Sequence, residues 1–163
     1  MFTWTIRPLG PDTRDAFLAL AAEHGGGHPH GEHGAKAALV LDPDGTCLGW
    51  AQYGNPDEVP VVKHRRIYDA HADEAPKPDW RICCVYVGIH HRRLGVARAA
   101  VEGALQQIAE EGGGLVEAIS QVTEDREVAS RTLPTATVEL FERHGFERGR
   151  QVGPHAFVVS RRL

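Results

Sequence analysis

Nothing in these 163 residues approaches the roughly 20 consecutive apolar residues that a helix needs to cross a bilayer. The N-terminus has no apolar signal core, because Arg7, Pro8, Asp12, Arg14 and Asp15 break it up. Three cysteines, Cys47, Cys83 and Cys84, are too few for a disulfide framework, and no Cys-x-x-Cys occurs. A cytoplasmic location and reduced, mostly buried thiols are therefore expected, with the adjacent Cys83 and Cys84 on opposite faces of a strand. Positive charge is not in excess: 18 Lys and Arg against 22 Asp and Glu leave −4. This balance argues against general binding to nucleic acid or an anionic membrane. The two common nucleotide signatures, GxxxxGK[ST] and GxGxxG after a strand, are both missing. No internal repeat and no linker divides the chain, so one domain over residues 1–163 is expected.

What the chain does have is concentrated between Val85 and Arg98, in the run VYVGIHHRRLGVAR. It reads as a buried strand, a basic turn with a glycine, and the start of a helix. A helix start leaves backbone N–H groups without intrahelical partners. Those donors and the positive end of the helix dipole attract anions. Gly95 removes the side chain that would hold a phosphate away, and Arg92 and Arg93 add fork-shaped donors. The turn has the makings of a pyrophosphate seat. After it, Ala97, Ala100, Val101, Ala104, Leu105 and Ile108 form an apolar stripe at helical spacing, with Glu102, Gln106, Gln107 and Glu110 off it. Gly112-Gly113-Gly114 ends that helix, and Leu115–Ile119 follows as a strand. The order is strand, turn, helix, strand: a βαβ unit with a parallel pair.

The remaining elements are read from pattern. Phe2–Pro8 alternates as a strand, and Pro11 opens a helix running to about Glu23. Ala37–Leu41 and Cys47–Tyr53 form a hairpin across Asp42-Pro43-Asp44-Gly45. A short helix is expected near Val61–Tyr68. The run Trp80–Val87, nearly all apolar, predicts a covered strand. Thr135 is expected to cap a helix ending at His144, followed by an antiparallel pair, Phe146–Val152 with His155–Arg161. His24, His28, His30 and His33 share a glycine-rich loop with Glu32. Histidines so close can bind zinc or nickel, but without Cys partners or a helix to fix them a loop is favoured, and no metal is assigned.

Two blocks carry a family resemblance. Arg92-Arg93-Leu94-Gly95-Val96-Ala97 resembles the acyl-CoA signature of the GNAT N-acetyltransferase superfamily, Arg/Gln-x-x-Gly-x-Gly/Ala, with Val85-Tyr86-Val87 as its lead-in. Leu140-Phe141-Glu142-Arg143-His144-Gly145-Phe146 resembles that family's C-terminal helix end. Gly49-Trp50-Ala51-Gln52-Tyr53-Gly54, Glu58-Val59-Pro60, Trp80-Arg81-Ile82-Cys83-Cys84 and Gly112–Glu117 resemble a bacterial GNAT subgroup of unassigned substrate.

The resemblance implies an α/β (α+β) GNAT fold: a mixed central sheet of six to seven strands with a splayed parallel pair, flanked by helices. It implies acetyl-CoA as cosubstrate. Pantetheine would pair with the backbone of Val85 and Val87 in the gap, and the turn from Arg92 through Arg93, Leu94, Gly95, Val96 and Ala97 to Arg98 would hold the pyrophosphate. The implied activity is acyl-CoA-dependent N-acyl transfer, with acetyl going to a primary amine by direct attack. Positioning is a major term in such chemistry. The amine still needs a base and the thiolate an acid. Glu117, a lone carboxylate on an apolar strand, is the base candidate, ahead of His90 and His91 beside the phosphate turn. Phe141 stands where the family often carries an acidic tyrosine, as part of the cofactor site. Tyr86, Ser120, Thr137 or water would have to replace that acid. The loss opens a second class, an acyl-CoA-binding sensor with little or no turnover. Cationic amine acceptors are mildly favoured by the negative charge, and assembly into a homodimer is left open.

Overall fold

The computed structural model describes residues 3–23, 36–61, 63–123 and 136–163. The histidine-rich stretch from His24 to His33 lies outside them. Seven strands form one sheet: β1 (Thr5–Pro8), β2 (Lys36–Leu41), β3 (Cys47–Gly54), β4 (Trp80–Val87), β5 (Leu115–Gln121), β6 (Glu147–Gln151) and β7 (Ala156–Arg162). Their spatial order is β1-β2-β3-β4-β5-β7-β6. Every neighbouring pair is antiparallel except β4 and β5. The helices are α1 (Arg14–Glu23), α2 (Arg65–Ala70), α3 (Val96–Glu110) and α4 (Val138–Arg143). No described helix is long and apolar enough to cross a membrane.

Strand alternation sorts the helices onto two faces. Ala38, Val40, Ala51, Tyr53, Ile82, Val85, Val116 and Ala118 pack with Ala100, Ala104 and Ile108 of α3 and Phe141 of α4. The alternate residues of the same strands point the other way. Ala37, Leu39 and Trp50 meet Phe17 and Leu20 of α1, and Val158 and Ile119 meet Tyr68 of α2. The helical stripe read from the sequence is the buried stripe of α3, joined by Ala99 and Gly103. Ala97 is only partly buried.

Glycines end both α3 and α4. Gly112 and Gly113 adopt positive φ, and the Gly113 N–H donates to Ile108 O at 3.0 Å, closing α3. Gly145, at φ 83°, ends α4 in the same way, with the Phe146 N–H donating to Phe141 O at 3.1 Å. The cap of α4 lies two residues beyond Thr135, which falls outside the described residues. It is Thr137, whose Oγ1 accepts from the Leu140 N–H at 3.1 Å. The short helix expected at Val61–Tyr68 starts later, at Arg65, and a single 3₁₀ turn at Ala72–Glu74 follows it.

One close approach sets the stability of the β4–α3 junction. A Cβ on Gly49 would stand 2.6 Å from Tyr86 O and 2.7 Å from Val96 Cγ1. The first is backbone in the paired strand, so it cannot swing aside. Gly49→Ala should therefore cost about 1–3 kcal/mol, the range for overpacking a tight core. Urea unfolding monitored by circular dichroism should show a lower midpoint at unchanged m-value.

Candidate active site

The parallel pair is joined only at its start. Trp80 lies opposite Val116 and Arg81 opposite Glu117, and no further register links β4 to β5. The start is held firmly. The Asp79 N–H donates to Leu115 O at 2.8 Å, and the Leu115 N–H donates to Asp79 Oδ2 at 2.8 Å. Beyond Arg81 the strands part, although β4 stays paired with β3 as far as Val87 and β5 with β7 as far as Gln121. The result is a wedge whose walls are two strand edges and whose apex is Arg81 and Glu117.

The apex is a buried polar cluster. Glu117 and Arg81 are 4% and 6% exposed. Arg81 donates to Glu117 Oε1 from Nε at 2.9 Å and from Nη2 at 2.6 Å. Its Nη1 donates to Val59 O at 2.9 Å. Tyr68 Oη donates to the same Glu117 oxygen at 2.5 Å and accepts from Arg81 Nη2 at 2.9 Å. Burial, then the Glu117 carboxylate, push the Tyr68 hydroxyl above its ordinary range, while Arg81 pulls it partly back. Tyr68 is therefore protonated at neutral pH. All the hydrogen bonds just given to Glu117 fall on Oε1.

A bulge lies just inside the wedge. Tyr53 pairs with Ile82 and Gln52 with Cys84, which leaves Cys83 as the extra residue. Strict alternation breaks there, so strand geometry alone does not set the faces of Cys83 and Cys84; Cys84 packs with Trp50 and Phe17. Cys83 Sγ donates to Gln52 O at 3.5 Å. Burial raises the pKa of both thiols, and that of Cys47 to about 11. All three cysteines are free.

The basic turn stands at the far end of β4. A 3₁₀ turn, Ile89–His91, leads into it. Arg93 and Gly95 take positive φ, 63° and 88°, so the backbone is curled over three residues. Gly95 is the N-cap of α3 without a side-chain cap. The Ala99 N–H donates to Gly95 O at 3.0 Å, so the N–H groups of Val96, Ala97 and Arg98 precede the first intrahelical bond. Arg92, Arg93, Leu94 and Gly95 are exposed. The Val96 side chain is buried in the core, leaving its N–H as the group it can offer. Arg98 leans back along the helix to Glu102 at 3.8 Å.

The chain belongs to the acetyltransferase (GNAT) family. The family model matches residues 6–146. Among solved structures, a GNAT-family N-acetyltransferase from Escherichia coli, in complex with CoA, superposes with a TM-score of 0.63 at 19% identity, covering 99% of this chain and 82% of that one. The GNAT domain of S. lividans PAT gives 0.61 at 14% identity, over 98% of this chain and 90% of that one. The ribosomal-protein-S18-alanine N-acetyltransferase of Escherichia coli gives 0.56 at 12% identity, over 99% and 94%. A search of curated proteins finds no match. Likenesses this distant establish the fold. Family membership makes the chain an acetyltransferase with acetyl-CoA as its cosubstrate.

With that, the sequence candidates can be placed. Val85 and Val87 lie on β4 beyond the apex, and Arg92 to Arg98 form the turn at its end. Glu117 sits at the apex itself. Phe141 is fully buried against Phe146, with ring centroids 5.0 Å apart, within the core rather than on a free surface. Of the substitute acids, Ser120 Oγ donates to Ala136 O and Thr137 is occupied as a helix cap. Tyr86 is half-buried, and burial raises its pKa. His90 and His91 stay beside the turn. No group of three or more His, Cys, Asp or Glu among the described residues could hold a metal.

Sequence reasoning missed Arg81 and Tyr68. A signal existed for Arg81: a lone charge inside an apolar strand needs a buried counter-charge, and Glu117 was the matching one. Tyr68 comes from a segment whose pattern is too short to orient.

The turn yields a two-part test by calorimetry of acetyl-CoA binding. A Cβ at Gly95 has room, its nearest neighbour being Trp4 at 3.6 Å, but the φ of 88° disfavours any side chain. Gly95→Ala should weaken binding several-fold through backbone strain. Gly95→Glu, which adds a negative charge to the basic turn, should weaken it at least about tenfold further.

Proposed function

We infer that the protein transfers the acetyl group of acetyl-CoA to a primary amine by direct attack in a ternary complex. The observation that carries this reading is the wedge: two strand edges that part after Arg81 and Glu117, with a basic turn at the other end of β4. The six residue steps from Arg81 to Val87 span about 20 Å at strand rise, a track for an extended thiol arm. In this reading, Val85 and Val87 pair with pantetheine through their backbones. The N–H groups from Arg93 to Ala97 hold the pyrophosphate, and Arg92, Arg93 and Arg98 supply positive charge around it. Leu94 belongs to the wall of that site, and Phe141, buried against Phe146, backs it from within the core.

The thioester then lies toward the apex. Arg81 and Glu117 project, with Tyr68, onto the face of α1 and α2, so the amine arrives on that face. There the carboxylate of Glu117 is fixed by Arg81 and Tyr68 through Oε1, and Oε2 is the oxygen that can take a proton from the amine. The neutral amine attacks the thioester carbon, a tetrahedral intermediate forms, the C–S bond breaks to release CoA thiolate, and the extra proton left on the nitrogen passes through water to that sulfur. Transfer depends mainly on holding the two reactants in line.

Phe141 favours a second reading. With no hydroxyl where the family often has one, the chain could bind acyl-CoA as a sensor and turn over little. The two separate on one assay. A panel of primary amines is incubated with acetyl-CoA and free CoA thiol is measured. Thiol release that depends on amine and protein supports transfer, and binding without release supports the sensor. With a responsive amine, Glu117→Gln should cut kcat about 10²-fold or more at neutral pH, the usual scale of general-base catalysis. The deficit should shrink as pH rises and more amine is already neutral. If the variant tracks the wild type across the pH–rate profile, Glu117 is not the base.

A further inference from the structure

Two polar groups near the apex have no partner, and both lie on the face of α1 and α2. The side chain of Gln52 is fully buried, and neither its Oε1 nor its Nε2 makes a hydrogen bond. Gln52 shares its strand face with Trp50, which packs under α1, and it stands opposite Cys84 at the bulge. Two residues on, Gly54 faces the same way, opposite Arg81. Above Gly54 lies Glu58. A Cβ on Gly54 would come within 2.9 Å of Glu58 Oε2, so the missing side chain is what lets that carboxylate settle there. Glu58 Oε1 accepts from Asn55 Nδ2 at 2.9 Å, whereas Oε2 is buried without a partner.

Such groups are costly to leave alone. An amide removed from water without a hydrogen bond, and a carboxylate oxygen without a counter-charge, each cost stability in the folded protein. Arg81 does not serve them, because its guanidinium is taken by Glu117, Tyr68 and the carbonyls of Val59 and Pro56. Together, Gln52 Oε1 and Glu58 Oε2 present two acceptor oxygens and one negative charge to the same strip of sheet. This strip borders the apex on the side from which the amine arrives.

We propose that Gln52 and Glu58 form an acceptor subsite that takes an ammonium group. The proposal rests on the amine-transfer reading above and sharpens it. The reacting nitrogen must be neutral to attack, so the ammonium held here is a second one. The acceptor is therefore a molecule with two amino groups, of which one is recognised by charge and the other is acetylated. Gln52 is the neutral half of the subsite, giving an oxygen without adding a second charge. Glu58, only partly buried on a short turn, is the movable half. Its side chain shifts to admit the ligand and then pairs with it.

The test compares α,ω-diamines of three to eight carbons with the n-alkylamines of equal length. CoA thiol release is measured for the wild type, Glu58→Gln and Gln52→Leu. The wild type should prefer at least one diamine over its monoamine by about tenfold or more in kcat/KM, through KM, after correction for the two equivalent amines. Glu58→Gln should bring that ratio toward one, and Gln52→Leu should lower it while the acetyl-CoA KM stays near the wild-type value. Gln52→Leu removes only unpaired polar atoms, so its melting temperature should hold or rise. Monoamines accepted as well as diamines by the wild type would overturn the subsite and leave amine transfer standing. A diamine preference that survives both substitutions would place ammonium recognition elsewhere. If acetyl-CoA binds but no amine of either series releases thiol, the amine-transfer reading fails and the subsite falls with it.

Discussion

The structure turns on an ion pair at the point where two parallel strands stop pairing. A parallel ladder left open exposes unpaired backbone donors and acceptors, which a fold normally avoids. Here the opening begins at a fixed place. Asp79 ties the starts of β4 and β5 together, and Arg81 and Glu117 close the apex from within. A buried ion pair of this kind gives little net stability against an apolar pair of the same size, since desolvation offsets most of the Coulomb gain. Its use is geometric. Arg81 also reaches the Val59 carbonyl and Tyr68, so the same contacts that set the apex fix the segment before α2 beside it.

From that point the rest follows by length and hand. β4 carries the chain from the apex to the basic turn, and α3 returns across the opposite face to feed β5, the usual βαβ route. Arg93 and Gly95 both adopt positive φ there, which bends the backbone ahead of α3. Gly49 lets β3 and β4 sit close under Val96, the first residue of that helix. Turn, wedge and apex are thus held by one packed layer, with Arg81 and Glu117 meeting Tyr68 of α2.

Much of this was legible in the sequence. Glycine, charge and apolar spacing gave β4, the turn, α3 and β5 nearly residue by residue, because each has a strong local signal. The hairpin at Asp42–Gly45 was legible for the same reason, and there the Asp42 carboxylate accepts from the Asp44 and Thr46 N–H groups at 2.9 Å each. What could not be read depends on register. The bulge at Cys83 shifts the side-chain alternation, and nothing local marks it. The cap of α4 falls on Thr137 because either of two nearby threonines could serve and packing of Val138 and Phe141 decides. The partners of Glu117 were hidden because Arg81 and Tyr68 are 36 and 49 residues away in the chain. Gln52 was visible as part of a motif, but its lack of a partner is a property of the packed protein.

On the proposed function, the open edge of β4 and the turn beyond it seat the cosubstrate. Amide hydrogen exchange on the whole protein, with and without saturating CoA, tests this most directly. Exchange should slow in residues 82–87 and 93–98, where backbone N–H groups gain partners, with little change in β1 and β2. Slowing confined to other segments, or none at saturating CoA, would contradict it.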